Sequence, residues 1–352
     1  MTSRRRIAGH LMSLLFLAAT LTLLAGCTAT VTMSSMVPAQ VDLSSHRNLA
    51  VLSVEPYRFG IFDTPNAMVR DFSGSSPYMI SSGFSRYMER DIAHHLTNEI
   101  TDELDRSEYF NLLLPAVADR EGTRLERFRV LGYDALLSVR ITDLNVDEYQ
   151  YAKEETVTTL PEGGVGEPTI TKVLRHHVMQ KVRYAVEFVI HDTSDGRILT
   201  SKTYSDSKEH SYRIEPGSAT SRYAPSLYGW FTSSSDDFAQ EFANLISPHW
   251  VTKRVSLMKN KPELQSVGEA YEAVKEGNPG VALSLFKRGW ERHDHVPSGY
   301  NAAIILESLG QMEDAVNLMR EVWRYSGNRS VRTRLLEMEE DWESHLKAQS
   351  QL

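Results

Sequence analysis

Few side chains in this sequence have a type and spacing that could perform chemistry. The single cysteine, Cys27, rules out a disulfide within the chain and zinc sites built from two or four cysteines. Histidines occur in three close groups: His94-His95, His176-His177 and His293-Asp294-His295. Neighbouring histidines point about 100° apart on a helix and to opposite faces of a strand, so the two pairs do not predict a shared metal.

The other candidate sites are weaker. The third histidine group could hold a metal at a turn between helices, although a solvated polar turn is the simpler interpretation. The glycine-rich segment 161–168 lacks the Gly-Lys-Ser/Thr of a phosphate loop and is predicted to join two strands. The acid pairs Glu154-Glu155 and Asp236-Asp237 are typical of solvated surfaces. We therefore expect no catalytic residue, no bound metal and no cofactor.

Length and composition suit a soluble globular protein with two domains, or with one large domain and an appendage. The chain has 352 residues, of which 41% are hydrophobic and 24% are charged. Its formal net charge is −8, and the three arginines at positions 4–6 lie in a segment that contains no acidic residue. An acidic chain without a basic stripe is a poor nucleic-acid binder, because neutralisation of phosphates dominates that affinity.

The N-terminus has the pattern of a secretory signal, with a basic head followed by an apolar run over residues 11–24. The run is short for a membrane span, and cleavage elsewhere or a short anchor helix are the alternatives. It ends in Leu24-Ala25-Gly26-Cys27, which resembles the bacterial lipobox. The resemblance implies removal of residues 1–26 and acylation of Cys27, which would anchor the protein stably in a membrane. Thr28 in the following position favours the outer membrane, facing the periplasm, and residues 27–40 are predicted to be a tether.

The C-terminal residues 261–352 contain two segments that match at a spacing of 33 residues. The matched positions are, in order, Ala270, Gly277, Ala282 and Phe286, then Ala303, Gly310, Ala315 and Met319. They resemble the tetratricopeptide repeat, in which small alanines let paired helices approach closely and a glycine ends the first helix. Ser266 and Gly299 stand where that repeat places an aromatic residue. A helix over 331–348 should cap the stack, Glu269 and Glu307 should be exposed, and the repeat faces should bind a protein partner.

The middle segment 41–260 alternates strands and helices. It contains a buried strand at 48–54, an amphipathic helix at 82–106, a strand at 134–144 and a hairpin around Asp192–Arg197. The apolar stripe of the long helix consists of Phe84, Met88, Ile92, Leu96, Ile100 and Leu104. Six aromatic residues between Tyr204 and Phe231 form either a contact surface or a loop that packs on its own domain.

Two phrases, Asn48-Leu-Ala-Val-Leu52 and Gly132-Tyr-Asp-Ala-Leu136, together with this element order, resemble envelope lipoprotein domains of the curli-secretion and penicillin-binding-protein-activator type. This resemblance covers about residues 38–250 and implies an α+β domain with a mixed sheet and a long packed helix. The resemblance to the tetratricopeptide repeat implies that an all-α module follows it. The curli-type relatives form pores from membrane hairpins, but the strands beside the glycine-rich segment lack the required alternation. We therefore expect a non-enzymatic envelope scaffold that binds envelope proteins. The alternative is an oligomeric subunit of a secretion or assembly complex. A hydrolase is not expected, because the sequence contains no recognisable nucleophile.

Overall fold

A computed structural model describes residues 29–57, 68–69, 78–79, 86–159, 167–214 and 226–352. The strands are β1 (Thr30–Val37), β2 (Asn48–Val51), β3 (Met68–Val69), β4 (Tyr78–Met79), β5 (Asn111–Leu113), β6 (Ala135–Thr159), β7 (Thr169–Asp192), β8 (Ile198–Ile214) and β9 (His249–Ser256). The helices are α1 (Arg86–Arg106), α2 (Pro115–Glu121), α3 (Leu125–Val130), α4 (Tyr228–Ile246), α5 (Gly268–Lys275), α6 (Pro279–His293), α7 (Val296–Ser308), α8 (Met312–Ser326) and α9 (Arg329–Gln351).

The chain divides into two compact units. Of the described residues, the sheet unit comprises those within Ala39–His249 and the last two, and the helical unit comprises residues 29–38 together with Trp250–Ser350. The sequence prediction placed this division after residue 260. In the described part of the chain, no helix is both long and apolar enough to cross a membrane.

The sheet unit is built on one mixed sheet. Strand β2 lies parallel to β5 on one side and to the start of β6 on the other. Strand β6 then pairs antiparallel with β7 over almost its whole length, and β7 pairs antiparallel with β8. The predicted strand at 134–144 is therefore only the first part of β6, which continues to Thr159. The short β3 pairs with β6 near Glu148, and β4 pairs with β3.

Alternation of apolar residues explains why the hairpin forms where it was predicted. Val182, Tyr184, Val186 and Phe188 of β7 are buried on one face of the sheet. The turn to β8 contains Gly196 at φ +78°, a backbone conformation that glycine adopts without steric cost. The hairpin prediction is thus confirmed.

Helix α1 packs its predicted stripe into the same core. Ile92, Leu96, Ile100 and Leu104 are fully buried together with residues of β2, β6, β7 and α4. Phe84, the first residue of the stripe, lies outside the described residues. A smaller cluster, in which Ala118 and Phe128 contact Leu52 and Leu136, places α2 and α3 against the sheet.

The helical unit consists of α5 to α9 and a two-stranded ribbon formed by β1 and β9. Helix α7 is buried along nearly its entire length, because α6, α8 and the ribbon surround it. The chain is thus α+β followed by a run of helices, as the sequence predicted.

The ribbon was not predicted, because residues 27–40 were expected to form a tether. Instead, Thr30–Val37 pairs with β9, and the hydroxyls of Ser34 and Thr252 lie 3.3 Å apart across 218 residues of sequence. Because its partner strand is so far away in the sequence, the short segment of small polar residues contains no local pattern that predicts a strand.

Candidate functional site

The predicted acylation site, Cys27, and the lipobox residues 24–26 lie outside the described residues, so the anchor stays a prediction. The described chain begins at Ala29, whose carbonyl accepts a hydrogen bond from the Leu257 N–H at 2.9 Å. Paired backbone therefore starts two residues after Cys27. In the sequence, only Thr28 separates Cys27 from this paired residue.

The structure places the eight predicted repeat positions inside or at the ends of the helices. The residues that are fully buried in the helical core are Ala270, Ala282, Phe286, Ala303, Ala315 and Met319. Gly277 and Gly310 have φ of +74° and +76° and follow α5 and α7, where the chain turns into the next helix. The buried residues and the two turn glycines thus recur in successive helix pairs, and their assignment to a tetratricopeptide repeat stays a prediction.

A close approach of helices explains the missing aromatic residue at Gly299. A Cβ atom on Gly299 would lie 2.4 Å from Val322 Cγ2 and 2.9 Å from the ring of Trp290. Trp290 of α6 thus already fills the space beside α7. The indole of Trp290, from the preceding helix α6, therefore occupies the space that an aromatic residue at position 299 would fill.

The chain itself covers the face of α7 that was expected to receive a partner. Asn301 on α7 accepts a hydrogen bond from the Met258 N–H at 2.7 Å and donates to the Met258 carbonyl at 3.0 Å. The Tyr271 hydroxyl donates to the same carbonyl at 2.6 Å. Since Val31 and Met33 of the ribbon belong to the buried helical core, a partner cannot reach this side of α7 without displacing β1.

Glu307 was expected to be exposed, and the structure shows that this prediction was wrong. Its side chain is 4% exposed, and its Oε2 lies 2.5 Å from Nη2 of Arg334, which is 6% exposed. Lys253 of β9 approaches Glu307 Oε1 at 3.4 Å and also pairs with Asp341. Burial alone would lower the pKa of Arg334, but the negative charges and hydrogen bonds of Glu307 and Glu337 have the larger effect, so its pKa is raised above the usual value. This charged cluster joins α7, α9 and the ribbon.

The third histidine group is not a solvated turn throughout. His295 is buried, and its Nε2 lies 2.9 Å from the Pro262 carbonyl, while its Nδ1 lies 2.7 Å from Ser298 Oγ. Because a carbonyl can only accept, Nε2 donates to Pro262, and Nδ1 forms a hydrogen bond with the serine hydroxyl. Both ring nitrogens are occupied, so His295 fixes the start of α7, and His293 stays exposed.

His177 contacts residue types that occur together in hydrolases. Its Nε2 lies 3.1 Å from Glu155 Oε1, its Nδ1 lies 3.4 Å from Ser211 Oγ, and its ring stacks on Tyr151. The Ser211 hydroxyl lies closer to the Tyr151 hydroxyl, at 2.6 Å. All four residues stand within strands, whose N–H groups lie in the plane of the sheet and form no oxyanion hole above it. The cluster links the side chains of β6, β7 and β8. His176 is exposed and His177 is buried, so the two face opposite sides of β7, as predicted.

The aromatic segment contributes mainly to the core of the sheet unit. Phe231 is fully buried in α4, Trp230 packs against the same core, and the ring of Tyr204 stacks on Phe238. Tyr223 and the centre of the glycine-rich segment lie outside the described residues. The described aromatics therefore favour packing on their own domain over an adaptable contact surface.

Comparison with known proteins identifies no family. No protein-family model matches the chain, and no curated protein matches it. Among solved structures, the PelC dodecamer from Paraburkholderia phytofirmans is 12% identical with a TM-score of 0.27, covering 62% of this chain and 97% of that chain. Lipoprotein GNA1162 from Neisseria meningitidis is 11% identical with a TM-score of 0.24, covering 56% and 98%. Identities and TM-scores this low transfer neither fold nor function to this chain.

Proposed function

We propose that this chain is a lipid-anchored protein of the bacterial cell envelope that holds protein partners close to the membrane and catalyses no reaction. The observation that carries this proposal is the hydrogen bond between Ala29 and Leu257, which brings the helical unit next to the lipobox. Two extended residues span at most about 7 Å, so acyl chains on Cys27 would hold the helical unit near the membrane surface. The outer membrane, facing the periplasm, is the location that Thr28 favours.

The outer faces of the helices are the surfaces available to a partner. The ribbon covers α7, so the predicted partner contacts shift to side chains that remain exposed on the helical unit. Trp250 and Tyr325 are 61% and 59% exposed, and Val281 and Leu336 are also exposed. Aromatic side chains such as Trp250 and Tyr325 are enriched in the centres of protein interfaces. A tetratricopeptide-like stack on a short anchor would present them at the membrane.

The anchor is tested by labelling cells with a palmitate analogue. We expect the wild-type chain to be labelled and Cys27→Ser to be unlabelled, since no other thiol can accept the diacylglycerol group. A Thr28→Ser variant keeps the thiol and serves as the matched control. Labelled Cys27→Ser protein, or unlabelled wild-type protein, would contradict the lipobox interpretation.

Partner binding is tested by placing a photo-crosslinking amino acid at the positions of Trp250, Val281 and Tyr325 in intact membranes. We expect a discrete adduct, identified by mass spectrometry, from at least one position. The same adduct should weaken strongly in a Cys27→Ser background, because the partner would no longer meet the protein at the membrane. Absence of adducts at all three positions, or an adduct of equal yield without the anchor, would refute the scaffold proposal.

A second candidate function is an oligomeric subunit of an envelope assembly, which one feature of the sheet favours. Strand β8 spans 17 residues and, within the described ranges, β7 is its only partner strand, so β8 is an edge strand of the described sheet. Such an edge can pair with another chain, although charged residues such as Lys202 and Asp206 disfavour unspecific pairing. Light scattering on the full chain in detergent distinguishes the two candidates, because a scaffold is expected to have the mass of one chain.

A further inference from the structure

We propose that His95 and Glu99 of α1 and Asp236 of α4 bind a zinc ion on the surface of the sheet unit. One ligand atom from each of these side chains lies within 4.8 Å of the other two. The sequence did not predict this site, because Asp236 is 141 residues from His95 and belongs to an acid pair expected to be merely solvated.

The fold holds the three side chains in place. His95 and Glu99 are four residues apart and therefore share one face of α1. The neighbouring Leu96 and Ile100 are fully buried in the same core as Phe238 and Ala239 of α4. Since both helices are fixed by this core, Asp236 is kept opposite His95, and their atoms Oδ1 and Nε2 lie 2.6 Å apart.

The charges at this site suit a divalent cation. Two carboxylates lie beside a single imidazole, which pairs with Asp236, and within the described ranges no lysine or arginine forms an ion pair with Glu99 or Asp236. A zinc ion would neutralise both carboxylates and replace the proton that now bridges His95 and Asp236. Tetrahedral zinc with bonds of about 2.0–2.1 Å separates its ligand atoms by about 3.3 Å, which small side-chain rotations would provide here.

The donor set and its exposure point to zinc with an open coordination position. Zinc accepts both imidazole nitrogen and carboxylate oxygen as ligands, and it prefers a nitrogen-containing set more than magnesium or calcium does. Asp236 is 51% exposed, so a water molecule can complete the coordination. A histidine and a second ligand at i and i+4 on one helix is the spacing that other zinc sites use.

The test is zinc titration by calorimetry of the full chain, purified in detergent and stripped of metal. We expect one zinc ion per chain. His95→Ala and Asp236→Asn should each weaken binding at least tenfold, while His94→Ala and Asp237→Asn retain it. The two controls are matched, because they remove the exposed neighbouring residues from the same helices. Circular dichroism checks that all four variants fold.

Cobalt substitution provides a second readout. Co²⁺ in the wild-type protein and both controls should give the visible absorption of a low-symmetry site with a nitrogen ligand, and His95→Ala should lose it. Equal zinc affinity in the wild type and His95→Ala would overturn the proposal, as would an equal loss in His94→Ala. The site does not depend on the anchor, so Cys27→Ser is expected to bind zinc like the wild type. The zinc proposal can therefore be tested independently of the proposed function.

Discussion

Replacing Glu307 with glutamine removes one negative charge from the buried cluster of the helical unit while preserving the shape of the side chain. In the folded protein, the Glu307 carboxylate faces the Arg334 guanidinium at 2.5 Å and the Lys253 ammonium group at 3.4 Å. Glutamine leaves Arg334 buried with only Glu337 as an ionic partner. The expected result is a large loss of stability in the helical unit.

The magnitude follows from the burial of both partners. Exposed ion pairs contribute only about 0–1 kcal/mol, because water screens the charges. Removing one partner of a buried pair costs about 3–5 kcal/mol, since the remaining charge keeps its desolvation penalty without its compensation. Glu307 and Arg334 are 4% and 6% exposed, so the range for buried pairs applies, and the loss should lie at its lower end because Glu337 still pairs with Arg334. Glu307→Lys should be worse, because it places a third positive charge beside Arg334 and Lys253.

The assay is urea unfolding of the full chain, followed by tryptophan fluorescence. Four of the five tryptophans, at positions 250, 290, 323 and 342, lie in the helical unit, so the fluorescence reports mainly on this unit. Glu343→Gln removes an exposed acid from α9 and should change the free energy of unfolding by less than about 0.5 kcal/mol. If Glu307→Gln unfolds like this control, the cluster is not buried and the packing of the ribbon on α7 is wrong.

Three further predictions concern packing and pH. Ala303→Leu should lower the free energy of unfolding by about 1–3 kcal/mol in the same urea assay, because Ala303 is fully buried and α7 leaves no space for a larger side chain. An unchanged urea midpoint would show that the register assigned to the helical repeat is wrong. Ile92→Asp should unfold the sheet unit by placing a charge in its core, and a wild-type melting curve by circular dichroism would refute that core. Hydrogen bonds from Ser194 and the contact with His46 lower the pKa of Asp192 from 3.8 to about 2. The ionised Asp192 therefore stabilises the fold above pH 4, and this stabilisation is lost as the pH falls through about 2. Asp192→Asn should flatten the acid side of a curve of unfolding free energy against pH. A curve identical to that of the wild type would show that these hydrogen bonds are absent.

Periodic patterns account for the elements that sequence alone predicted correctly. The four-residue recurrence from Met88 to Leu104 predicts one buried face, and the core of the sheet unit contains that face. The alternation from Val182 to Phe188 predicts a half-buried strand, because successive side chains in a strand point to opposite sides. Patterns of this kind are local, so they need no knowledge of the partner surface.

The sequence was less informative where polar residues are buried. Glu307 follows the apolar residues of α7 and was expected at the surface, because glutamate is rarely buried without a partner. Its partners, Arg334 and Lys253, come from a later helix and an earlier strand. Only the assembled helical unit brings these charges together and makes burial favourable.

By itself, the sequence determined the fold class, the long helix, the hairpin and the helices spaced by 33 residues, because each has a period or a turn residue of its own. Tertiary structure alone decided that Thr30–Val37 forms a ribbon with β9, that this ribbon covers α7, and that His95 meets Asp236. The physical reason is the same in all three cases. These contacts join segments that are far apart in the chain, and their free energy depends on surfaces that exist only after both segments have packed.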